Sequence, residues 1–316
     1  METPVALVVG ASRGLGLLVA RELLERGFLV VGCARTQADL DRAAELLAPH
    51  GPTQMLTCDV RDPQQITDLV DRVEREHGPI EVLITVAGII QVGPAEAMTE
   101  EHFRDAVDTM LWAPVRFARA VVPGMRERGH GRIGTVTSIG GVVSPPHLLP
   151  YSVAKFGAVG FAEGLAADLA GTGVSSTTIV PGLMRTGSHE RAHFTGEHEH
   201  EYAWFGPAAS LPLLTVSAER AARKIVRGVL AGRPHVVIGA LAHVGMRVHG
   251  IAPATTVRLM GLGNRLLPEA PGSIDESAIL LGRQAMQRLS ERGRRVVGTL
   301  TTWGSSAAEQ FNQRRS

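Results

Sequence analysis

Val5-Ala6-Leu7-Val8-Val9-Gly10-Ala11-Ser12-Arg13-Gly14-Leu15-Gly16 is the stretch that decides the fold. Its five apolar residues, three of them valine, read as a strand buried on both faces, and the chain passes without a linker into a glycine loop and a helical pattern from Leu15 to Arg26. Glycines at such a turn let the backbone bend sharply and come close to a pyrophosphate, whose charge the following helix N-terminus stabilises. The alternation continues outward. Apolar runs at Leu29–Cys33, Gln54–Cys58, Val82–Val86, Arg132–Thr137, Val174–Val180 and His235–Ile238 are separated by segments such as Pro63–His77, Glu100–Arg128 and Ser152–Ala170, whose apolar residues recur at helical spacing. Continuous apolar strands each followed by a helix specify an α/β fold, a doubly wound parallel sheet. Pro63 after Asp62, and Thr99 before Glu100 and Glu101, mark helix starts, while Gly27, Gly51, Gly78 and Gly129 mark helix ends.

Composition narrows the function. The 316 residues carry 32 basic and 31 acidic side chains, so no broad positive field favours nucleic acid. Only Arg314 and Arg315 make the end locally basic. Cys33 and Cys58, the only cysteines, fit a reducing compartment and read as small buried hydrophobes. No secretory signal and no apolar run of about 18 residues is present, so a cytoplasmic protein is expected; the nearest candidate span, Val236 to Ile251, contains His243, Arg247 and His249.

The end of the second strand reads Cys33-Ala34-Arg35-Thr36, where an NAD-binding chain would place a carboxylate for the ribose hydroxyls. No carboxylate comes before Asp39. Arg35, with Arg13 of the glycine loop, suits a 2′-phosphate instead, which favours NADP(H). Further on, Tyr151 and Lys155 stand four residues apart at the start of a helix and therefore share a face. A phenol with an ordinary pKa of about 10 is a poor acid–base group at neutral pH, and a neighbouring ammonium favours its phenolate form. With two Tyr and two Lys in the whole chain, this pairing is informative.

On these residues the sequence resembles the short-chain dehydrogenase/reductase family. The resemblance rests on Gly10-x-x-x-Gly14-x-Gly16, on Ser138 thirteen residues before Tyr151, on Tyr151-x-x-x-Lys155, and on Pro181-Gly182 followed by Thr186; it covers residues 5 to about 240. It implies a Rossmann fold that moves a hydride between a nicotinamide and a carbonyl or alcohol carbon, and a homo-oligomer. Catalytic roles would fall to Ser138, Tyr151 and Lys155: Tyr151 as acid–base, Lys155 lowering its pKa and holding the nicotinamide ribose, Ser138 bonding the substrate oxygen. Cofactor contacts would come from Gly10, Ser12, Arg13, Gly14, Leu15, Gly16, Arg35, Asp59, Val60, Ala87, Gly88, Tyr151, Lys155, Pro181, Gly182 and Thr186, with Asp59 at the adenine and Thr186 near the carboxamide. Taken alone, Ser138 would also suit a strand-end turn before Gly140 and Gly141.

The sequence departs from the family twice. Its Asn-Asn-Ala-Gly is Thr85-Val86-Ala87-Gly88 here, so strand-end hydrogen bonds fall to Thr85 or water. Where the family has an Asn in the long helix, thirteen residues before Pro123, this chain has Met110, and a thioether cannot seat the water that links the lysine to solvent. An NADP(H)-dependent oxidoreductase acting on an apolar carbonyl or alcohol is the expected function; a nucleotide-binding sensor or scaffold with weakened turnover is the alternative.

Two regions stay open. His189, His193, His198 and His200, interleaved with Glu190, Glu197, Glu199 and Glu201, read as a solvated, flexible substrate lid rather than a metal site, and the nearby Phe194, Tyr202, Trp204 and Phe205 suggest an apolar pocket. Residues 1–240 are expected to form the cofactor-binding and catalytic domain. Residues 241–316 are expected to be a helical extension, with Leu241–Leu267 and Ile274–Val297 as helices separated by Pro268, Pro271 and Gly272, and a loose polar tail over Thr301–Ser316. The extension could pack on the body, which is the simplest reading, form a subunit interface, or lie on a membrane surface.

Overall fold

The computed structural model describes residues 3–212, 214–270 and 279–314. Pro271, Gly272, the start of the Ile274–Val297 segment and Arg315 lie outside them. Seven strands form one parallel sheet: β1 (Val5–Val9), β2 (Leu29–Ala34), β3 (Thr53–Thr57), β4 (Ile80–Thr85), β5 (Gly131–Val136), β6 (Val174–Pro181) and β7 (His235–Ile238). Their order across the sheet is β7-β6-β5-β4-β1-β2-β3, with all pairs parallel. The order reverses between β1 and β4, and the crevice at the C-terminal ends of these strands is where a doubly wound sheet binds its ligand.

The apolar runs are continuous because both faces are covered. Along β1, Ala6 and Val8 point into one buried cluster with Leu18 and Leu23 of α1 (Gly14–Leu24) and Ile225 and Val229 of a helix at Ala218–Leu230. Val5, Leu7 and Val9 point into the other, with Ile66 and Val73 of a helix at Pro63–His77 and Phe117 and Val121 of one at Ala113–Arg128. Cys33 and Cys58 are buried free thiols in that second cluster. In order, the remaining helices are α2 (Gln37–Leu47), α3 (Pro63–His77), α4 (Glu100–Val107), α5 (Ala113–Arg128), α6 (Leu149–Asp168), α7 (His198–Ala208), α8 (Ala218–Leu230), α9 (Ala240–Ile251), α10 (Pro253–Asn264), α11 (Gly282–Arg288) and α12 (Glu291–Gln310).

Local signals act as their chemistry requires. Asp62 caps α3 by accepting from the N–H groups of Gln64 (2.8 Å) and Gln65 (3.3 Å). Thr99 caps α4, and His102 Nδ1 accepts from its N–H at 3.0 Å. Between α4 and α5 the chain makes a π-helical turn, Asp108–Trp112, in which Ala113 N–H donates to Asp108 O, five residues back. Nothing in the helical periodicity of this long segment foretells the widened turn.

Beyond β7 the extension divides. α11 and α12 pack on the body: Ala285 and Val297 join Val92, Phe194, Tyr202 and Phe205 in a third buried cluster. α9 and α10 instead form a hairpin with Leu241, Val244, Val248, Ile251, Val257, Leu259, Leu262 and Leu266 exposed. The simplest expectation, packing throughout, holds for only half of the extension. Residues 301–310 of the stretch expected to be a loose tail are instead helical, since α12 runs through Gln310 with Thr301, Gly304 and Ala308 buried. Among the described residues no helix is long and apolar enough to cross a membrane.

Candidate active site

One cavity opens at the C-terminal ends of the strands, and every candidate residue from Gly10 to Thr186 lies on its wall. The glycine loop connects β1 to α1. Gly10 has φ +87°, and a Cβ there would lie 2.6 Å from Ala87 N, so only glycine lets the loop pass the end of β4. The missing Asn pair is replaced by backbone: Val86 N–H and Ala87 N–H both donate to Val9 O, at 2.8 and 2.9 Å, and the Thr85 hydroxyl donates to Gly134 O at 3.4 Å.

Around the mouth of the loop, charge is concentrated. Arg35 follows β2, is exposed, and stands near both Arg13 and Asp59. Arg13 Nη1 donates to Asp39 Oδ2 at 3.1 Å, and Arg42 bonds the other carboxylate oxygen. Burial pulls the Arg13 pKa down, Asp39 opposes that shift, and Arg35 adds a smaller like-charge repulsion. Asp59, after β3, is held below the usual carboxylate range chiefly by its hydrogen bonds from Arg61, at 2.7–3.2 Å. Val60, Pro181, Gly182 and Thr186 also line the cavity.

At the other end stand the three groups picked out for chemistry. Ser138 lies two residues beyond β5, and its Oγ accepts from Gly140 N–H at 3.0 Å, which leaves its own proton free to donate. Tyr151 and Lys155 occupy successive turns of α6, as their spacing requires. A Cβ on Gly140 would lie 3.0 Å from the Tyr151 ring, so glycine lets the Ser138 turn run beneath it. Burial raises the Tyr151 pKa, and the Ser138 hydroxyl works against that shift. Lys155 Nζ donates to Val136 O at 2.8 Å and lies 5.9 Å from the centre of the tyrosine ring; burial brings its pKa down to about 8. In this geometry the phenol is governed by desolvation and Ser138, not by the ammonium.

Met110 sits on the same wall. It is 1% exposed in the π-helical turn and packs against Ala106, Ala154, Ile89 and Tyr151. Its neighbour Thr109 also faces the cavity, with a buried hydroxyl that has no partner among the described residues. Sequence reasoning passed over Thr109; its place beside Met110 was the available signal. Arg191 and Gln313 were missed too, because nothing in local spacing links them to the glycine loop.

The lid departs from expectation. His189 and Glu201 are fully buried, and the Glu/His run starts helix α7 rather than a solvated loop. Glu201 Oε1 bonds His147 Nδ1 at 2.7 Å, and its Oε2 accepts from Trp204 Nε1 at 2.8 Å. Phe194 and Tyr202 pack edge-to-face with each other inside the third cluster, so of the four aromatics only Phe205 lines the cavity. The apolar character of the substrate end comes instead from Ile89, Ile90, Met110, Leu183, Met184 and Ala192.

Comparison with known proteins agrees with this fold. The profile described as short chain dehydrogenase matches residues 4–194. The chain belongs to the short-chain dehydrogenase family. It is 38% identical, over 188 residues, to a Streptomyces coelicolor protein provisionally named a ketoacyl reductase, the match covering 58% of this chain and 72% of the relative. It is 32% identical over 185 residues to the 3-oxoacyl-(acyl-carrier-protein) reductase of Escherichia coli, covering 58% and 75%. Among solved structures, a short-chain dehydrogenase from Streptomyces avermitilis superposes with a TM-score of 0.71 at 27% identity, over 85% of this chain and all of that one. A phenylalanine-to-tryptophan variant of actinorhodin polyketide ketoreductase, solved with NADPH, gives 0.68 at 30% identity, over 78% and 99%. The protein is thus a nicotinamide-dependent oxidoreductase of this family.

Proposed function

We propose that the protein is an NADP(H)-dependent reductase, reversible as an alcohol dehydrogenase, acting on a carbonyl of an apolar small molecule, with ketoacyl compounds as the leading substrate class. The observation that carries the reading is the single cavity that runs from Arg13 and Arg35 at one end to Ser138, Tyr151 and Lys155 at the other. The residues fit the cofactor: the glycine loop presents the N-terminus of α1, and two crowded guanidiniums suit a 2′-phosphate. The neighbouring carboxylate Asp39 is paired twice and so offers little repulsion to it. When bound, the nicotinamide supplies or accepts the hydride. Ser138 donates a hydrogen bond to the substrate oxygen, Tyr151 delivers a proton to it in reduction and withdraws one in oxidation, and Lys155 is the group that would hold the nicotinamide ribose. The ketoacyl class comes from the printed names of the relatives and from the apolar substrate end. Those names are reductases, and nothing in the site favours a sensor or scaffold.

In this reading residues 1–240 are the catalytic domain and 241–316 an extension serving it. The two free cysteines support a cytoplasmic setting. Trp112, Leu149, Val153 and Phe156 form an exposed apolar face around the starts of α5 and α6, proposed as the homo-oligomer contact. The α9–α10 hairpin is assigned to an anionic membrane surface: residues 240–267 hold three arginines and no carboxylate beside the exposed apolar row, and α9 adjoins Ile139 beyond Ser138. Titration with NADPH and NADH, followed by rates on 3-ketoacyl thioesters and simple ketones, tests the reading. Tighter binding of NADPH is expected. Equal affinity for the two would refute the assignment of Arg35.

A further inference from the structure

The end of the chain returns to its beginning. After α12, Phe311 O accepts from Gly14 N–H at 2.8 Å. Asn312, one of two asparagines in the sequence, takes a left-handed conformation (φ 59°) and makes three polar contacts: its Nδ2 donates to Ser12 O at 2.8 Å and to Asp39 O at 3.1 Å, and its Oδ1 accepts from Arg42 Nε at 3.0 Å. Gln313 O accepts from Arg191 Nε at 2.6 Å. Arg314 grips the Glu190 carboxylate through Nε and Nη2 at 2.8–3.1 Å. Phe311, Asn312 and Gln313 are all buried. So dense a set of bonds to the glycine loop and to the segment after Thr186 makes these residues a strap, built in rather than draped over.

The strap reaches the cavity without dividing it. Gln313 and Arg191 line the same continuous wall as Gly14, Arg35 and Tyr151, and a Cβ on Gly14 would lie 2.6 Å from Gln313 Nε2. Arg191 Nη2 is buried and has no partner among the described residues. A buried guanidinium nitrogen without an acceptor is costly, and crowding raises that cost. Burial, with Arg13, Arg42 and Arg283 nearby, brings the Arg191 pKa down to about 10, with Asp39 acting in opposition. An anion placed between Arg191 and the N-terminus of α1 would give Arg191 Nη2 its acceptor.

We infer that Arg191 and the strap 311–314 form the outer half of the cofactor's pyrophosphate site, with Arg191 Nη2 and Gln313 Nε2 donating to the phosphates opposite the N-terminus of α1, and that the dinucleotide leaves when the strap opens. This rests on the reading that a dinucleotide fills this cavity. The test measures NADPH and NADH affinity and dissociation rate by nucleotide fluorescence, with displacement by excess oxidised cofactor. The proteins compared are wild type, Arg191→Gln, Gln313→Glu, a chain ending at Gln310, and Arg35→Ala. Arg191→Gln is expected to weaken both nucleotides by about ten- to a hundredfold, the loss of a charge-assisted hydrogen bond. Arg35→Ala should weaken NADPH alone. Removing the strap should speed dissociation of both at least tenfold, and Gln313→Glu, which retains the backbone bonds of the strap and adds a repelling charge, should do the same. Unchanged dissociation in Arg191→Gln and Gln313→Glu would overturn the inference, as would tighter binding after truncation, which would make the strap a plug. Wild type that bound neither nucleotide would overturn the underlying reading as well.

Discussion

At the level of single residues, the clearest test of the departures from the family is Met110. Its thioether lies in a π-helical turn packed against Tyr151, Ala106 and Ala154, an apolar setting already fitted to it. Met110→Asn is therefore expected to leave turnover within about twofold and to cost roughly 1–3 kcal/mol of stability from an amide buried among apolar groups. Rates across pH and denaturant melts of both proteins decide it, and a clear gain in turnover would identify proton resupply as limiting. A second residue-scale prediction concerns His189. It is fully buried, both ring nitrogens lack a partner among the described residues, and burial brings its pKa down to about 4. The unfolded chain takes up this proton near pH 6.5, before the folded one does, so stability falls as pH drops from 6.5 toward 4 and is unaffected above. His189→Leu should lose roughly 1–3 kcal/mol less than wild type between pH 7 and pH 5 in urea denaturation; equal losses would show that His189 does not set that slope. The candidate site was legible at this scale because Ser138, Tyr151 and Lys155 sit at fixed spacings on one strand end and one helix face. Thr109, Arg191 and Gln313 were not, since their place depends on a widened turn and on contacts more than a hundred residues apart.

Among the elements, those of the sheet were read to within two residues, because a strand buried on both faces must be a continuous apolar run; the half-buried edge strand β3, with Thr53, Gln54 and Thr57, is the exception. α7 was misread for a physical reason. Alternating Glu and His looks solvated, yet both Glu201 carboxylate oxygens are hydrogen-bonded, by His147 and Trp204, and Tyr202 and Phe194 pull the rest of the segment under α11 and α12. His147 holds a left-handed conformation (φ 61°) four residues before Tyr151, so this contact ties the lid to the loop that positions the phenol. Glu201→Leu leaves the imidazole and indole N–H without an acceptor, and should cost about 2–5 kcal/mol by denaturant midpoint. A loss below about 1 kcal/mol would show that the pair is replaceable by water.

The whole molecule is a conventional catalytic core to which two halves of one extension do different things: α11 and α12 lock the lid and bring the strap back to the glycine loop, while α9 and α10 expose an apolar, cationic hairpin. The sequence could not separate these roles, because apolar helices dotted with arginine look alike until their partners are known. Sedimentation with vesicles should show binding to phosphatidylglycerol but not to phosphatidylcholine, reduced by Val244→Asp with Leu262→Asp. Binding to neither, with the same pair of substitutions converting a dimer to a monomer, would make the hairpin a contact between copies of the chain. The most direct test of the central claim joins binding to turnover in one variant: NADPH consumption with 3-ketoacyl thioesters and apolar ketones, measured beside NADPH affinity, for wild type and Tyr151→Phe. The account predicts that wild type consumes NADPH with members of this set, and that Tyr151→Phe binds NADPH as tightly but turns over at least a thousandfold more slowly, roughly the contribution of a general acid. A phenylalanine variant as fast as wild type, or a wild type that binds NADPH and reduces none of these compounds, would contradict it.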